Sequence, residues 1–553
     1  MATMRSEAGL ARPDGCRNTA LNRHRPKRTG GHADRSALPM VANALFLAIY
    51  PWLATSLAAQ TWRVEPSTRA TVTATNNSGF ANSTDTGGDV IVDIAPRVTL
   101  AGRGARFTIN GFVAADSLTF ARNTQDNQFI PSARLAVNAN PLERWLFLDA
   151  AASVEQSTLD PYSVVSTGGL PSERLQTTQY RLSPYLDHAF TPAVSLLYRN
   201  ENVWTRRSGE ASASERRGNY ERHGHSAVFT LRPEPLGFSL EGNEEQTKYV
   251  NDANSTLELA SARAVLTYAA DPTLIVGAVV GTEQSEFALV KSRDTIRGLR
   301  LRWTPTERSD LNASVERRFF DTGWNVTWAH RSPFLAMSIN LARQPSTQPG
   351  TFLLANTGGD LRSLIDAAFT TRYPNPIERA VIVDNAVANL GTSANSAAAI
   401  EVYSDYAQLQ NRTSASFVFL GPRSTLTFQL YSLKSVQLQR ADLPAPQGAV
   451  ASIADNQQTG VSAAFNRRLT TTMSAEAVVS AAKIKGLGSA EGNSTTSLSA
   501  RLVGSQALSP TTRLIAGGRL QHGKATQLSR ITSAESTVSI QEIAGFFGIE
   551  HKF

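Results

Sequence analysis

A single cysteine, Cys16, serves all 553 residues. Everything after it lacks a thiol, so no disulfide framework and no cysteine-based metal site can be built there. Charged residues make up only 18% of the chain, below the usual quarter. Beyond the first sixty positions no apolar run is long enough for a spanning helix. The chain has no GxSxG elbow, HExxH pair or P-loop. These absences set aside helical membrane proteins and the enzymes those signatures mark. No catalytic residue, cofactor or metal site is expected.

What is present begins with a leader. Arg23, Arg25, Lys27, Arg28 and Arg35 precede an apolar core, Leu38 to Ala54, which Pro39 and Pro51 interrupt. Small residues follow in SLAAQ, where a signal peptidase would read. The core is short and proline-broken, so a cleaved signal peptide over 1–59 is expected rather than an anchor. Of 54 basic and 46 acidic residues, positions 1–59 hold eight and three, which leaves +3 for the rest. The formal charge of +8 is therefore no sign of a nucleic-acid partner.

After the leader, segments of about 9 to 14 residues alternate with period two, as strands with one apolar face do. TLTFQLYSL sets Leu426, Phe428 and Leu430 against Thr427 and Gln429. FLAMSINLAR sets Leu335, Met337, Ile339 and Leu341 against Ala336, Ser338 and Asn340. LGFSLEGNEE sets Leu236, Phe238 and Leu240 against Ser239, Glu241 and Asn243. Charged residues at mid-strand, opposite an apolar face, suit a polar lumen with lipid outside. Short connections rich in turn residues, such as RPEPLG (232–237) and GPRS (421–424), alternate with long polar loops such as 157–178 and 206–221. That layout predicts an all-β fold: a transmembrane, antiparallel outer-membrane β-barrel of about 22 strands, range 18 to 24, over 70–553. Residues 60–69 read as a periplasmic lead-in. Residues 346–400 read as one long insertion with two short helices, in GGDLRSLIDAAF and NPIERAVIVDNAVANLG. This insertion either constricts the barrel mouth, with Leu364 and Val387 as its test positions, or caps the surface.

The C-terminal sequence QEIAGFFGIEHKF keeps the alternation to the last residue. Ile543, Phe547, Ile549 and Phe553 share one parity; Glu542, Ala544, Glu550 and Lys552 share the other. An apolar edge strand would invite aggregation in a soluble protein, but it can close a barrel in lipid. Gly548, His551 and Phe553 resemble the C-terminal signal of outer-membrane barrels, which implies the barrel-assembly machinery as a partner; His551 stands where that signal usually has an aromatic or bulky apolar residue.

Candidate functional residues are few. Arg300, Arg302, Glu316 and Arg318 are expected to face the lumen on adjacent strands, where charges set selectivity or pair with one another. His223 and His225 share a face and read as polar lumen or loop residues. Trp145, Trp204, Trp303, Trp324, Trp328, Tyr198 and Tyr268 fall near strand ends and read as interface girdles.

Arg300 to Pro333, RLRWTPTERSDLNASVERRFFDTGWNVTWAHRSP, resembles a family of outer-membrane barrels associated with exosortase/PEP-CTERM exopolysaccharide gene clusters. WRVEPS (62–67) and YPNPIERA (373–380) fit the same resemblance. It implies a Gram-negative outer-membrane component of exopolysaccharide secretion or attachment, with outer-membrane lipid, the polymer and periplasmic export components as partners. It supplies no catalytic residues. The alternatives are a general porin or small-molecule channel, and a non-conducting structural or assembly barrel.

Overall fold

The computed structural model describes residues 61–78, 87–158, 162, 174–208, 219–249, 256–287, 290–347, 366, 369–370, 383, 407–438, 455–528 and 535–553. The leader expected at 1–59 lies outside them.

The chain is a closed, antiparallel barrel of 22 strands, each paired to its neighbours in sequence. The strands are β1 (Thr61–Thr75), β2 (Asp89–Arg103), β3 (Phe107–Phe120), β4 (Gln128–Leu142), β5 (Leu146–Thr158), β6 (Arg174–Ala189), β7 (Val194–Ser208), β8 (Tyr220–Leu231), β9 (Leu236–Tyr249), β10 (Thr256–Asp271) and β11 (Leu274–Phe287). They continue as β12 (Val290–Thr306), β13 (Ser309–Arg318), β14 (Asp321–Arg331), β15 (Leu335–Ser346), β16 (Gln408–Leu420), β17 (Ser424–Gln437), β18 (Asn456–Arg468), β19 (Met473–Gly486), β20 (Ser494–Ala507), β21 (Thr512–Leu528) and β22 (Glu535–Lys552). Closure is by β22 on β1, from Ser67↔Lys552 to Thr75↔Ala544. Closure matters because lipid offers no partner to an open row of backbone N–H and C=O groups.

The alternation in the sequence becomes two surfaces. Leu335, Phe419, Leu426 and Phe465 form one cross-strand row on the outer face. Phe419, Leu426 and Phe465 keep 44%, 38% and 40% of their surface exposed. Leu299, Leu502, Ile543 and Phe547 are exposed on the same face elsewhere. The opposite parity carries Ser239, Glu283, Thr427, Gln458 and Glu542, all buried toward the interior. Apolar outside and polar inside is the inverse of a soluble protein and belongs to a barrel that spans a bilayer.

Ten connections at one end have two to four residues; the connections at the other end run as long as 347–407. Three short turns share a device. The hydroxyl of Thr191, Thr470 or Ser509 accepts backbone N–H bonds from residues two and three positions on. The turn at 469–472 has neither Gly nor Pro, which is why the turn residues in the sequence do not announce it. Trp145, Trp303, Trp328, Phe334 and Phe553 stand exposed at or near this short-turn end, as a girdle requires.

Two expectations change. The segment 60–69 is not a lead-in outside the sheet: from Thr61 it is strand, paired to β2 from Thr61↔Arg103 onward. Pro66 stands at the end of the β22 ladder, where its carbonyl still accepts the Phe553 N–H at 2.9 Å and at most one rung bond goes unmade. The long insertion starts later than 346, since Ser346 is the last residue of β15 and pairs with Gln408. Within it Asp366, Phe369 and Val383 are helical, one position or more in each expected helix. Thr370 Oγ1 donates to the Asp366 carbonyl at 2.9 Å, and Val383 is fully buried. Leu364 and Val387 lie outside the described residues.

At the loop end Asp455 ties three segments together. Its Oδ1 accepts the Gln437 N–H at 2.7 Å, and its carbonyl accepts from Leu487 N–H and Tyr162 Oη. Burial pushes its carboxyl above the ordinary value, and the Gln437 bond offsets only part of that. A raised folded pKa favours the protonated form. This corner therefore contributes most stability below the ordinary carboxylate range and loses it as pH rises through the raised value. Amide exchange at Gln437 and Leu487, corrected for intrinsic rate, is expected to show protection falling across that window. Asp455→Asn keeps the acceptor without the charge and is expected to flatten the dependence.

Candidate functional site

The barrel register divides the lumen wall into two parts. From β15 to β21 one inward row reads Ser338, Ser416, Gln429, Ser462, Ser480, Ser499 and Gln521, each directly opposite the next. The row ends on Glu542. Ser480 and Ser499 hydroxyls are 2.6 Å apart, and Ser462 Oγ donates to Gln429 Oε1 at 3.5 Å. Small hydroxyl and amide side chains line the wall at this level, with Arg501 and Arg519 one step toward the short turns. The small side chains offer donors and acceptors while leaving space in the lumen.

The wall from β7 to β13 is charged, and its charges are paired. Arg263 Nε donates to both carboxylate oxygens of Glu316, at 3.2 and 3.1 Å. Arg300 Nη2 donates to Glu241 Oε2 at 2.7 Å and reaches Glu316 Oε1 at 3.5 Å, while its Nη1 also donates to Glu241. Two guanidiniums and two carboxylates thus form one cluster on four strands. Arg318 makes a separate pair, with Nε and Nη2 on Glu283 Oε2 at 2.9 and 2.7 Å; Glu283 Oε1 also accepts the Phe319 N–H at 2.8 Å. Further round, Arg222 pairs with Glu201 and, at 3.3 Å, with Glu245.

Of the four charges singled out from the sequence, the structure brings Arg300 and Glu316 together and places Arg318 on Glu283 instead. Arg302 sits toward the short turns, exposed, and its nearest carboxylate among the described residues is Asp310, at 3.6 Å. Of the two readings, mutual pairing fits Arg300, Glu316 and Arg318. Their partners Glu241, Arg263 and Glu283 lie at inward parity in neighbouring strands. Parity gives their face; only the register gives their contacts.

The remaining sequence candidates sit elsewhere. His223 and His225 are on the outer face, not in the lumen, because both share the parity of Phe229 on β8. His223 Nδ1 lies 2.7 Å from Asn202 Oδ1, and His225 Nδ1 lies 3.0 Å from the Tyr198 hydroxyl. Among the described residues no group of three His, Cys, Asp or Glu is placed to hold a metal. At the C-terminus Gly548 faces inward at the seam, and an added Cβ there would stand 2.7 Å from the Ala70 carbonyl oxygen. His551 bonds the Thr512 hydroxyl at 2.9 Å and packs edge-on to the Phe553 ring. Phe553 N–H donates to the Pro66 carbonyl at 2.9 Å, and its ring is exposed outward.

No family model matches the sequence, and no curated protein does. Solved structures align over most of its length at very low identity. The FrpB iron transporter from Neisseria meningitidis is 10% identical, with 91% of this chain and 83% of that chain covered at a TM-score of 0.46. The siderophore receptor PirA from Acinetobacter baumannii is 8% identical, with 89% and 81% covered at 0.42. PirA from Pseudomonas aeruginosa is 8% identical over the same shares, at 0.40.

Proposed function

We propose that this chain is an outer-membrane conduit, or a conduit's accessory, for exopolysaccharide. The observation that carries the reading is the divided lumen lining. A row of hydroxyls and amides faces a wall whose arginines and carboxylates neutralise each other. A hydrated polymer passes most readily where it finds many weak hydrogen-bond partners and no strong uncompensated charge, because a conducted species has to leave as easily as it enters. The apolar outer face supports membrane residence, and short turns at one end with long loops at the other support the outer membrane. The resemblance around Arg300 to Pro333 supports the polymer over a small solute.

The test is single-channel conductance of the purified protein in planar bilayers, with and without residues 348–406 replaced by a short linker. Discrete steps that soluble fragments of the exopolysaccharide reduce are expected, larger in the shortened form. Steps that such fragments leave untouched would favour a general porin. No steps in either form would favour a structural barrel. In cells, loss of the chain is expected to lower secreted polymer.

The same assay reads the lumen charges. Glu241→Gln with Glu316→Gln leaves Arg263 and Arg300 without carboxylates on one wall. Reversal potentials in a salt gradient are expected to shift severalfold toward anions. Arg302→Gln, which breaks only an exposed pair, is expected to shift them far less.

A further inference from the structure

The rim of the barrel is lowest at β13 and β14. These strands have 10 and 11 residues and are joined by Phe319 and Phe320 alone. About 9–11 residues suffice to cross the hydrocarbon core, so little of this hairpin stands above it. On its outer face Leu299 and Val315 lie side by side, 68% and 49% exposed, at the upper edge of the apolar band. One step toward the loops, on the same face, Arg297 and Arg317 are directly opposite each other. Both are exposed. Neither makes an ion pair or hydrogen bond with any described residue.

Like charges directly opposite on adjacent strands are destabilising. The inward arginines of the neighbouring strands, Arg263, Arg300 and Arg318, each have a carboxylate; these two face lipid with none, and an anion from outside would relieve them. Their height, just above the apolar band, is where lipid headgroups sit. Among the described residues the nearest carboxylates are already engaged. Asp321 is engaged by Arg343, at 3.7 Å, and Glu286 by Lys291, at 2.9 Å. Trp324, beside Val315, carries the Arg343 guanidinium over its ring at 5.3 Å and marks the interface level.

We propose that Arg297 and Arg317 clamp a phosphate of a membrane lipid headgroup at the loop end of the barrel. Two planar guanidiniums on one phosphate make charge-assisted, two-pronged hydrogen bonds, and the anion removes their mutual repulsion. The clamp fixes the low side of the rim at headgroup height.

The purified full chain, refolded in detergent, is titrated with a diphosphorylated lipid A and with the same glycolipid dephosphorylated, and bound lipid is read by native mass spectrometry. Retention of the phosphorylated form is expected, weakened about tenfold by removal of its phosphates or by Arg297→Gln with Arg317→Gln. Inorganic phosphate at matched concentration is expected not to displace it. Equal retention in the double variant, or of the dephosphorylated lipid, overturns the proposal, and so does equal competition by inorganic phosphate. Should the double variant refold poorly, Arg317→Gln alone decides. Compared with the unsubstituted chain, its unfolding temperature is expected to be higher in a phosphate-free maltoside detergent, where only the repulsion is relieved, and lower once the phosphorylated glycolipid is added. A shift of one sign in both overturns the clamp.

Discussion

Glu542→Ala is expected to destabilise the folded barrel by about 3–5 kcal/mol, the cost of leaving a buried guanidinium without its carboxylate. Glu542 is 1% exposed and lies on β22, one of the two strands of the seam. It accepts Arg519 Nε at 3.0 Å and Nη2 at 2.7 Å, and the Thr75 hydroxyl at 2.9 Å. One carboxylate thus joins β21, β22 and β1 across the closure. Arg519 also stands directly opposite Arg501 on β20, so losing Glu542 sets two arginines face to face. The measurement is the urea midpoint of refolded protein in vesicles, followed by heat-modifiable mobility. Arg519→Met in the same chain is expected to recover most of the loss, because the uncompensated charge goes with it. A double variant no better than the single one would mean that Glu542 acts through Thr75 or through packing instead.

The barrel was legible in the sequence because lipid enforces a strict rule. Each outward position has to be apolar within the membrane, and period-two alternation displays this directly in Leu426, Phe428 and Leu430, or in Ile543, Phe547 and Ile549. The strand number followed from the same rule with the turn residues. What stayed hidden depends on register. Arg300 and Glu316 are 16 positions apart and both inward; that they meet, while Arg302 does not join them, is decided by the pairing Arg300↔Ser314 and by Glu241 three strands away. The serine row has the same character: its seven members come from seven strands, and none is conspicuous in its own. Segment 60–69 was placed outside the sheet, whereas Trp62 and Val64 already alternate with Arg63 and Glu65 in register with β2. The histidines were misplaced because polarity in a barrel strand suggests the lumen, whereas these strands continue past the membrane and become polar on both faces.

Gly548→Ala is expected to lower the stability of the closed barrel by about 1–3 kcal/mol, as overpacking a fitted contact does. An added methyl would lie 2.7 Å from the Ala70 carbonyl oxygen, 2.8 Å from Thr71 Oγ1 and 3.3 Å from Thr71 Cα. The first of these is backbone on the partner strand of the seam, so relief requires β1 and β22 to separate. The seam is also the shorter of β22's two ladders: nine residue pairs join it to β1, against 17 to β21. The same strand provides the control. Gly545 has nothing within 4 Å of an added Cβ. There alanine is expected to help by about 0.5–1 kcal/mol, since glycine in a strand interior costs that much in chain entropy. Opposite signs three residues apart would separate close approach at the seam from any general demand for glycine in the last strand. Urea midpoints that fall equally in both variants would remove the steric account of Gly548 and leave only its place in the assembly signal.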